Sequence, residues 1–201
     1  MVRRVRSVLV AIGVGVLLTG IVAPAPGGAS VLRRGSPPCT IVGSAGDDRI
    51  VGTAGDDTIC GLGGDDTIFG RAGDDVLEGT RGDDFLNGGS GDDTILGGPG
   101  DDQLLGLGGD DQMTGSTGAD IADAGAGNDR IIAGVGNDIQ LFGGAGKDVV
   151  NGGAGNDRCV ATVDNVDGND KAIGGPGHDT RYTDPGDIRI GFEASRPCLG
   201  G

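Results

Sequence analysis

The sequence predicts an all-β solenoid, in which short strands recur at regular intervals along a single chain. Three observations predict it: a nine-residue pattern repeats in register through most of the chain, glycine supplies 46 of the 201 residues, and aromatic residues make up only 2 %. Units with a period this short bury their apolar side chains by stacking on their neighbours. A conventional globular core is not expected from so few large apolar groups.

The first thirty residues differ from the rest of the chain. Arg3, Arg4 and Arg6 precede a mostly apolar run over residues 8–23, and small residues and prolines follow. This order is typical of a secretory signal peptide. We expect cleavage after Ala29, which makes residues 1–29 the signal and residues 30–42 an N-terminal cap. The alternative is a permanent membrane anchor, for which the apolar run is somewhat short.

The repeat array follows, over residues 43–182. Ten uninterrupted nonapeptides run from Gly43 to Ile132, and a ten-residue copy covers residues 133–142. Two further nonapeptides begin at residues 143 and 152, and two weaker copies begin at residues 165 and 174 after an insert at residues 161–164. This makes fifteen copies. Residues 183–201 are predicted to be a C-terminal cap, in which Ile188, Ile190 and Phe192 alternate as they would in a strand.

Each position of the repeat has a physical role. Position 4 is Gly and position 6 is Asp in all fifteen copies, position 5 is Asp or Asn in twelve, and position 8 is usually aliphatic. Glycines at positions 1, 2 and 4 are expected to form a tight turn with positive φ, and the acid or amide at position 5 to adopt the left-handed conformation in it. Positions 7 to 9 favour a very short strand whose middle side chain points inward.

This pattern resembles the repeats-in-toxin (RTX) nonapeptide G-G-x-G-x-D-x-U-x, where U is a large aliphatic residue. The resemblance implies a right-handed parallel β-roll with two repeats per coil, and calcium ions between the turns of successive coils. It also implies that turn carbonyls and the position 6 carboxylates are the metal ligands, whereas the position 5 acids form the turn and add negative field. The implied ligands are Asp48, Asp57, Asp66, Asp75, Asp84, Asp93, Asp102, Asp111, Asp120, Asp129, Asp138, Asp148, Asp157, Asp170 and Asp179.

Calcium would remove an electrostatic obstacle to stacking. Coils about 4.8 Å apart would bring equivalent carboxylates together, at a cost of roughly 1–3 kcal/mol for each pair. A hard divalent cation with oxygen ligands turns this repulsion into attraction, and magnesium or zinc suits such turns less well. We expect about eight to thirteen calcium ions, one between each turn and the turn two copies later. Without calcium we expect the chain to be largely disordered.

The four cysteines lie at the two ends of the array. In a stacked roll of two repeats per coil, Cys60 and Cys159 would be roughly 26 Å apart, too far for a disulfide. This leaves Cys39–Cys60 and Cys159–Cys198 as the expected pairs, each closing one end of the roll, with four unpaired thiols as the alternative.

Composition and motifs also exclude function classes. A net charge of −15 argues against nucleic acid as a partner. The triplet Arg81-Gly82-Asp83 and the single histidine, His178, both fall on turn positions of the repeat, and nothing resembles nucleophilic machinery, so we expect no catalysis. We predict a secreted, extracellular calcium-binding protein without a membrane span after signal removal. The alternatives are a calcium-dependent adhesin or cell-surface interaction module, with a protein or surface partner, and a remnant or accessory domain of a secreted enzyme.

Overall fold

The computed structural model describes residues 6–7, 38–158, 160–162, 170–183 and 188–191. These residues form eighteen strands, and none of them forms a helix that could span a membrane. The strands are β1 (Arg6–Ser7), β2 (Ile41–Val42), β3 (Asp48–Val51), β4 (Thr58–Cys60), β5 (Thr67–Ala72), β6 (Val76–Glu78), β7 (Phe85–Ser90), β8 (Thr94–Pro99), β9 (Gln103–Gly108), β10 (Gln112–Thr117), β11 (Ile121–Ala126), β12 (Arg130–Val135), β13 (Gln140–Ala145), β14 (Val149–Ala154), β15 (Val160–Thr162), β16 (Lys171–Ile173), β17 (Arg181–Thr183) and β18 (Ile188–Ile190).

Successive strands alternate between two parallel sheets. The odd-numbered strands form one sheet in sequence order, here called the odd sheet, and the even-numbered strands form the other, the even sheet. Ile50 lies opposite Ile68 in the odd sheet, and Ile59 lies opposite Leu77 in the even sheet. Partners 18 residues apart mean that two nonapeptides complete one coil, as expected. The prediction of an all-β parallel β-roll is therefore confirmed.

The core is a column of position 8 side chains between the two sheets. Ile68, Leu86 and Leu104 from the odd sheet and Leu77 and Ile95 from the even sheet are at most 1 % exposed. The longer strands bury alternate positions, 8 and 1, because side chains alternate along a strand, and position 1 is a glycine or a small residue such as Ala124. The prediction that position 8 points inward is confirmed, and in most copies it supplies the large side chain of the core.

Many of the strands are longer than predicted. A strand such as β8 covers six residues, from Thr94 to Pro99, and so runs on through positions 1 to 3 of the next copy. Backbone pairing between coils continues into the turn, since the Gly100 N–H donates to the carbonyl of Thr117 in the next coil at 2.9 Å. The expectation of three-residue strands is confirmed for strands such as β4 and β6, but it was wrong for the six-residue strands, because there the parallel pairing continues into the turn.

Two copies contain an extra residue. In the copy at residues 133–142, Gln140 pairs with Ile121, so Ile139 is the additional residue, and its side chain is 41 % exposed. The copy that begins at Gly152 has the same form, because buried Val160 lies opposite Leu141. That copy therefore extends to Ala161, and the predicted start of the insert at residue 161 was wrong. Residues 163–169 lie outside the described residues.

The predicted caps are described in part. Of the signal segment 1–29, only β1 is described, and it pairs with Asp48 and Arg49. Within the N-terminal cap, β2 starts the even sheet, and Cys39 is bonded to Cys60 with a Cα–Cα distance of 5.9 Å. Cys159 and Cys198, and with them the second predicted pair, lie outside the described residues, as does Phe192. Ile188 and Ile190 do form the predicted strand, and both side chains are exposed.

Candidate metal centre

Positions 1 to 6 of each copy carry the chain around one edge of the roll, and in many copies positions 1 to 3 also continue the preceding strand. Most turns have positive φ at two positions, position 2 and position 4, as at Leu62 (φ 84°) and Gly64 (φ 102°). A Cβ at Gly64 would lie 2.5 Å from the backbone nitrogen of Asp47, so this glycine is needed for space as well as for conformation. In the described residues position 1 and position 5 have no positive φ. The expectation of a left-handed acid at position 5 was therefore wrong, since position 2 has that conformation.

The position 6 carboxylates point into the roll and are buried. Asp66, Asp84 and Asp102 are each at most 2 % exposed. Oδ1 of each accepts a hydrogen bond from the position 6 N–H of the preceding coil, for example from Asp66 to Asp84 at 2.8 Å and from Asp84 to Asp102 at 2.9 Å. Each carboxylate therefore bridges the gap between its own coil and the one before it.

The second oxygen of these carboxylates has no hydrogen-bond partner. Buried polar atoms are nearly always paired, and a buried carboxylate oxygen without a donor is costly. One such oxygen is unusual, and here it recurs in thirteen copies. The Oδ2 atoms that accept no hydrogen bond belong to Asp66, Asp75, Asp84, Asp93, Asp102, Asp111, Asp120, Asp129, Asp138, Asp148, Asp157, Asp170 and Asp179.

Burial raises the pKa of the position 6 carboxylates, whose coil-to-coil hydrogen bonds form a ladder along the edge of the roll. The pKa of Asp66, Asp102 and Asp111 is raised to about 7, mainly by burial and further by the neighbouring aspartates. Burial likewise raises the pKa of Asp84 to about 6, although the backbone hydrogen bond from Asp66 acts in the opposite direction. Ionising these buried carboxylates therefore costs free energy, which a nearby cation would reduce.

The position 5 side chains form a second ladder that runs in the opposite direction. Oδ1 of Asp83 accepts from the N–H of Asp101 in the following coil at 2.9 Å, and Oδ1 of Asp65 accepts from Asp83 at 3.1 Å. These side chains lie at the outer surface, where water also reaches them. Their geometry agrees with the predicted role as turn formers. Asn128 and Asn137 make the same bond with their amide oxygens, which accept from the N–H groups of Lys147 and Asn156.

The first two turns are built differently. Oδ2 of Asp48 accepts from the N–H of Ser44 at 2.5 Å, and Oδ2 of Asp57 accepts from both the N–H of Thr53 at 2.6 Å and its hydroxyl at 2.9 Å. Both carboxylates are thus satisfied inside their own turns. Sequence reasoning grouped them with the other thirteen. A hydroxyl at position 2 does not separate them by itself, since Thr80 and Ser116 also lie at position 2, in copies whose Oδ2 accepts no hydrogen bond.

The donors around the unpaired oxygens fit a hard cation. Within the described ranges, no group of three or more His, Cys, Asp or Glu side chains is arranged to hold a metal ion. Ligands for an ion would therefore be one position 6 carboxylate together with carbonyl oxygens of the turns. An all-oxygen set with few charges suits calcium, whereas zinc prefers nitrogen and sulfur.

Comparison with known proteins decides the family. The family model for the RTX calcium-binding nonapeptide repeat (4 copies) matches residues 40–68, 69–104, 105–139, 140–165 and 166–187. The chain belongs to this family. RTX repeats bind calcium, so the chain is a calcium-binding repeat protein, and the unpaired oxygens lie in the turns of its RTX repeats. No curated protein and no solved structure matches the chain.

Proposed function

We propose that this RTX protein is secreted and that the turns of its roll bind about thirteen calcium ions, without which the roll does not fold. The observation that carries the proposal is the set of thirteen buried carboxylate oxygens that have no hydrogen-bond partner. Each is an anionic donor already held in place, because the other oxygen of the same carboxylate is fixed by a backbone N–H.

The number of unpaired oxygens matches the number of gaps between coils. The position 6 residues alternate between the two edges, with eight before the odd strands and seven before the even strands. Eight stacked turns leave seven gaps and seven leave six, which makes thirteen. Since each carboxylate from Asp66 onward bridges one gap, one ion for each gap accounts for every unpaired oxygen.

Calcium would link binding to folding. The core buries only one large apolar side chain in most copies, whereas every residue of the glycine-rich coil loses conformational entropy on ordering. The ladder hydrogen bonds add only about 1 kcal/mol each. We therefore expect the coils to stack only when the charges of the position 6 carboxylates are neutralised. When bound, the ion supplies positive charge between coils, and the chain supplies the carboxylate of each gap and the carbonyls of its turns.

Secretion would provide the calcium. Extracellular calcium modules bind with dissociation constants of about 10⁻⁴–10⁻³ M, so such sites are empty in the cytosol and filled outside the cell. The N-terminal segment supports the same proposal, because its basic start and apolar run are typical of a signal peptide. Intact mass of the extracellular protein tests this part. A chain that starts near Ser30 is expected, and one that retains Arg3 and Arg4 would contradict it.

The proposed role is binding without catalysis. The single histidine, His178, lies at position 5 of its turn, and its backbone N–H donates to Oδ1 of Asn156 at 2.9 Å. It therefore belongs to the outer ladder, which supports a structural role. The net charge of −15 favours cations as ligands, and we expect no nucleic acid partner.

A calcium-dependent interaction module, such as an adhesin, is the second candidate. On the outer face of the odd sheet, the rings of Phe69 and Phe85 lie 5.8 Å apart, and the Arg49 guanidinium lies 4.7 Å from the Phe69 ring centre. Aromatic and arginine side chains are enriched in interfaces, which favours a partner on this face. Recovery of a partner from the cell envelope only in the presence of calcium, and its loss after Phe69→Ser, would support this role.

A direct count of bound ions tests the main proposal. Equilibrium dialysis of the secreted protein in saturating calcium should give about thirteen ions for each chain, with magnesium giving few. A count of two or three would show that the unpaired oxygens are not the sites.

A further inference from the structure

The first coil, residues 39–60, differs from all later coils in how its carboxylates are paired. Asp48 and Asp57 accept hydrogen bonds through Oδ2 from position 2 of their own turns, at 2.5 and 2.6 Å. The Thr53 hydroxyl adds a second donor at 2.9 Å to Asp57. In the other thirteen position 6 aspartates this oxygen is buried and accepts no hydrogen bond. The atom that would bind calcium elsewhere is already occupied in these two turns.

The backbone of these turns differs as well. None of the first two turns' residues has positive φ, whereas later turns have it at positions 2 and 4. Among the residues that the structure describes, no atom lies within 4 Å of a Cβ placed at Gly46 or at Gly55. At the equivalent Gly82, a Cβ would lie 2.5 Å from the carbonyl carbon of Gly64. The first two turns therefore do not have the shape that the later ones share.

Two further links, neither of which needs an ion, join the segment before the array to this coil. The disulfide joins Cys39 to Cys60, and the Thr40 N–H and hydroxyl both donate to the Thr58 carbonyl, at 2.7 and 3.0 Å. The Thr58 N–H donates in return to the Thr40 hydroxyl at 2.9 Å. These bonds replace, at the start of the roll, the contacts that a preceding coil would provide.

We propose that the first coil is a metal-independent cap, in which Asp48 and Asp57 hold their own turns and bind no calcium. Binding then begins at Asp66 and Asp75, whose Oδ1 atoms accept from the Asp48 and Asp57 N–H groups, both at 2.8 Å. The cap thus presents two fixed N–H groups that place the first two ligands of the array. This inference rests on the proposed function, since it assigns where the calcium sites begin.

Matched Asp→Asn variants of the full, oxidised chain test the cap. Asp48→Asn and Asp57→Asn keep an oxygen that can accept the position 2 N–H but remove the charge. Both should leave the number of bound calcium ions unchanged and move the calcium midpoint by less than about twofold. Asp66→Asn and Asp75→Asn should each lose about one ion and raise the midpoint severalfold. Loss of an ion in Asp48→Asn or Asp57→Asn would overturn the cap. If Asp66→Asn and Asp75→Asn also bound calcium as the unaltered chain does, the proposed function would fall, and the cap with it.

Hydrogen exchange supplies a second readout that does not depend on counting ions. In calcium-depleted buffer the Ser44 and Thr53 amides should exchange at least about tenfold more slowly than unfolded-chain amides. The amide of Gly64, which donates to the Arg81 carbonyl at 2.9 Å, should be protected only after calcium is added. Equal exchange at all three amides before calcium, followed by equal protection after it, would contradict a metal-independent cap.

Discussion

The Asp66 N–H donates to Oδ1 of Asp84 at 2.8 Å, while Oδ2 of the same Asp84 carboxylate is buried without a hydrogen-bond partner. One oxygen therefore aligns two coils, and the other remains as a ligand at the gap between them. At every gap between coils, Oδ1 of a position 6 carboxylate accepts a backbone N–H and Oδ2 accepts no hydrogen bond. It follows that alignment and metal binding can be separated by substitution.

Replacing Asp84 by Asn should separate the two roles. Asn can still accept the Asp66 N–H, but it places an NH₂ group where the unpaired oxygen lies. We expect one ion fewer and a rise of about tenfold in the calcium concentration needed at that gap, equivalent to about 1.4 kcal/mol. Isothermal titration calorimetry in calcium would measure both.

The neighbouring Asp83→Asn is the matched control for this variant. Asp83 carries the same charge on the adjacent residue, and its Oδ1 only accepts from the Asp101 N–H at the outer surface. Its substitution should change the midpoint by less than about twofold, since a screened surface charge contributes little. Equal effects at Asp83 and Asp84 would show that net charge, and not the position 6 ligand, determines affinity.

The position 4 glycines should tolerate alanine in the first coil only. At Gly82 (φ 118°), a Cβ would lie 2.5 Å from the backbone carbon of Gly64, and the left-handed conformation alone costs about 1–2 kcal/mol. Gly82→Ala should therefore lower the melting temperature in saturating calcium. Gly55 is at the same repeat position, and in the described part of the chain no atom lies within 4 Å of a Cβ placed there, so Gly55→Ala should be neutral or stabilising by up to about 1 kcal/mol. A comparable loss in both variants would mean that the two turns have the same shape.

Acid should favour the calcium-free roll. In the folded roll the pKa of Asp66 and Asp102 is raised to about 7 and that of Asp84 to about 6, whereas an unfolded Asp has a pKa near 3.9. The folded chain therefore binds more protons between about pH 4 and 7. Its stability is largest below about pH 4 and is lost as the pH rises through about 6 to 7.

Circular dichroism in calcium-depleted buffer checks this dependence. The β signal should be larger at pH 5 than at pH 8. In limiting calcium the trend should reverse, because protons compete with calcium for the same oxygens. A calcium-free β signal that grows as the pH rises would contradict the raised pKa values.

The predicted cysteine pairing can be completed by peptide mapping. Cys39 and Cys60 are bonded in the structure, which leaves Cys159 and Cys198 as the expected second pair. Mapping of the unreduced secreted protein should find a peptide that joins these two residues. A bridge between Cys60 and Cys159 within one chain would be incompatible with the stacked coils, since the two residues would lie roughly 26 Å apart.

Much of the fold was predictable because the repeat is regular. The inward position 8 and the pairing of Ile50 with Ile68 follow from a strand period of two and a coil of two repeats. The extra residue at Ile139 was visible as a ten-residue copy, but the one before Val160 was not, because Cys159 and Val160 are both apolar enough for position 8. Register there was decided by pairing with Leu141, which the sequence alone does not show.

The details of the site were less predictable. The left-handed residue is at position 2, where Leu62 and Arg71 have positive φ, and residue preferences had pointed to the acid at position 5. Stacking overrides that preference, since the position 5 side chain is used in the ladder along the edge. The closed turns of Ser44 and Thr53 depend on bonds within a single copy, and so they could not be read from the pattern shared by all copies.

The most direct test of the account is a calcium titration of the secreted, oxidised chain at pH 8, followed by far-ultraviolet circular dichroism, with magnesium as the control. The account predicts a mostly disordered spectrum in excess chelator and a cooperative rise of the β signal with calcium, at a midpoint of about 10⁻⁴–10⁻³ M. Magnesium at the same concentrations should produce little change. A full β signal in excess chelator would contradict the claim that the unpaired carboxylates of the ladder need calcium in order to stack.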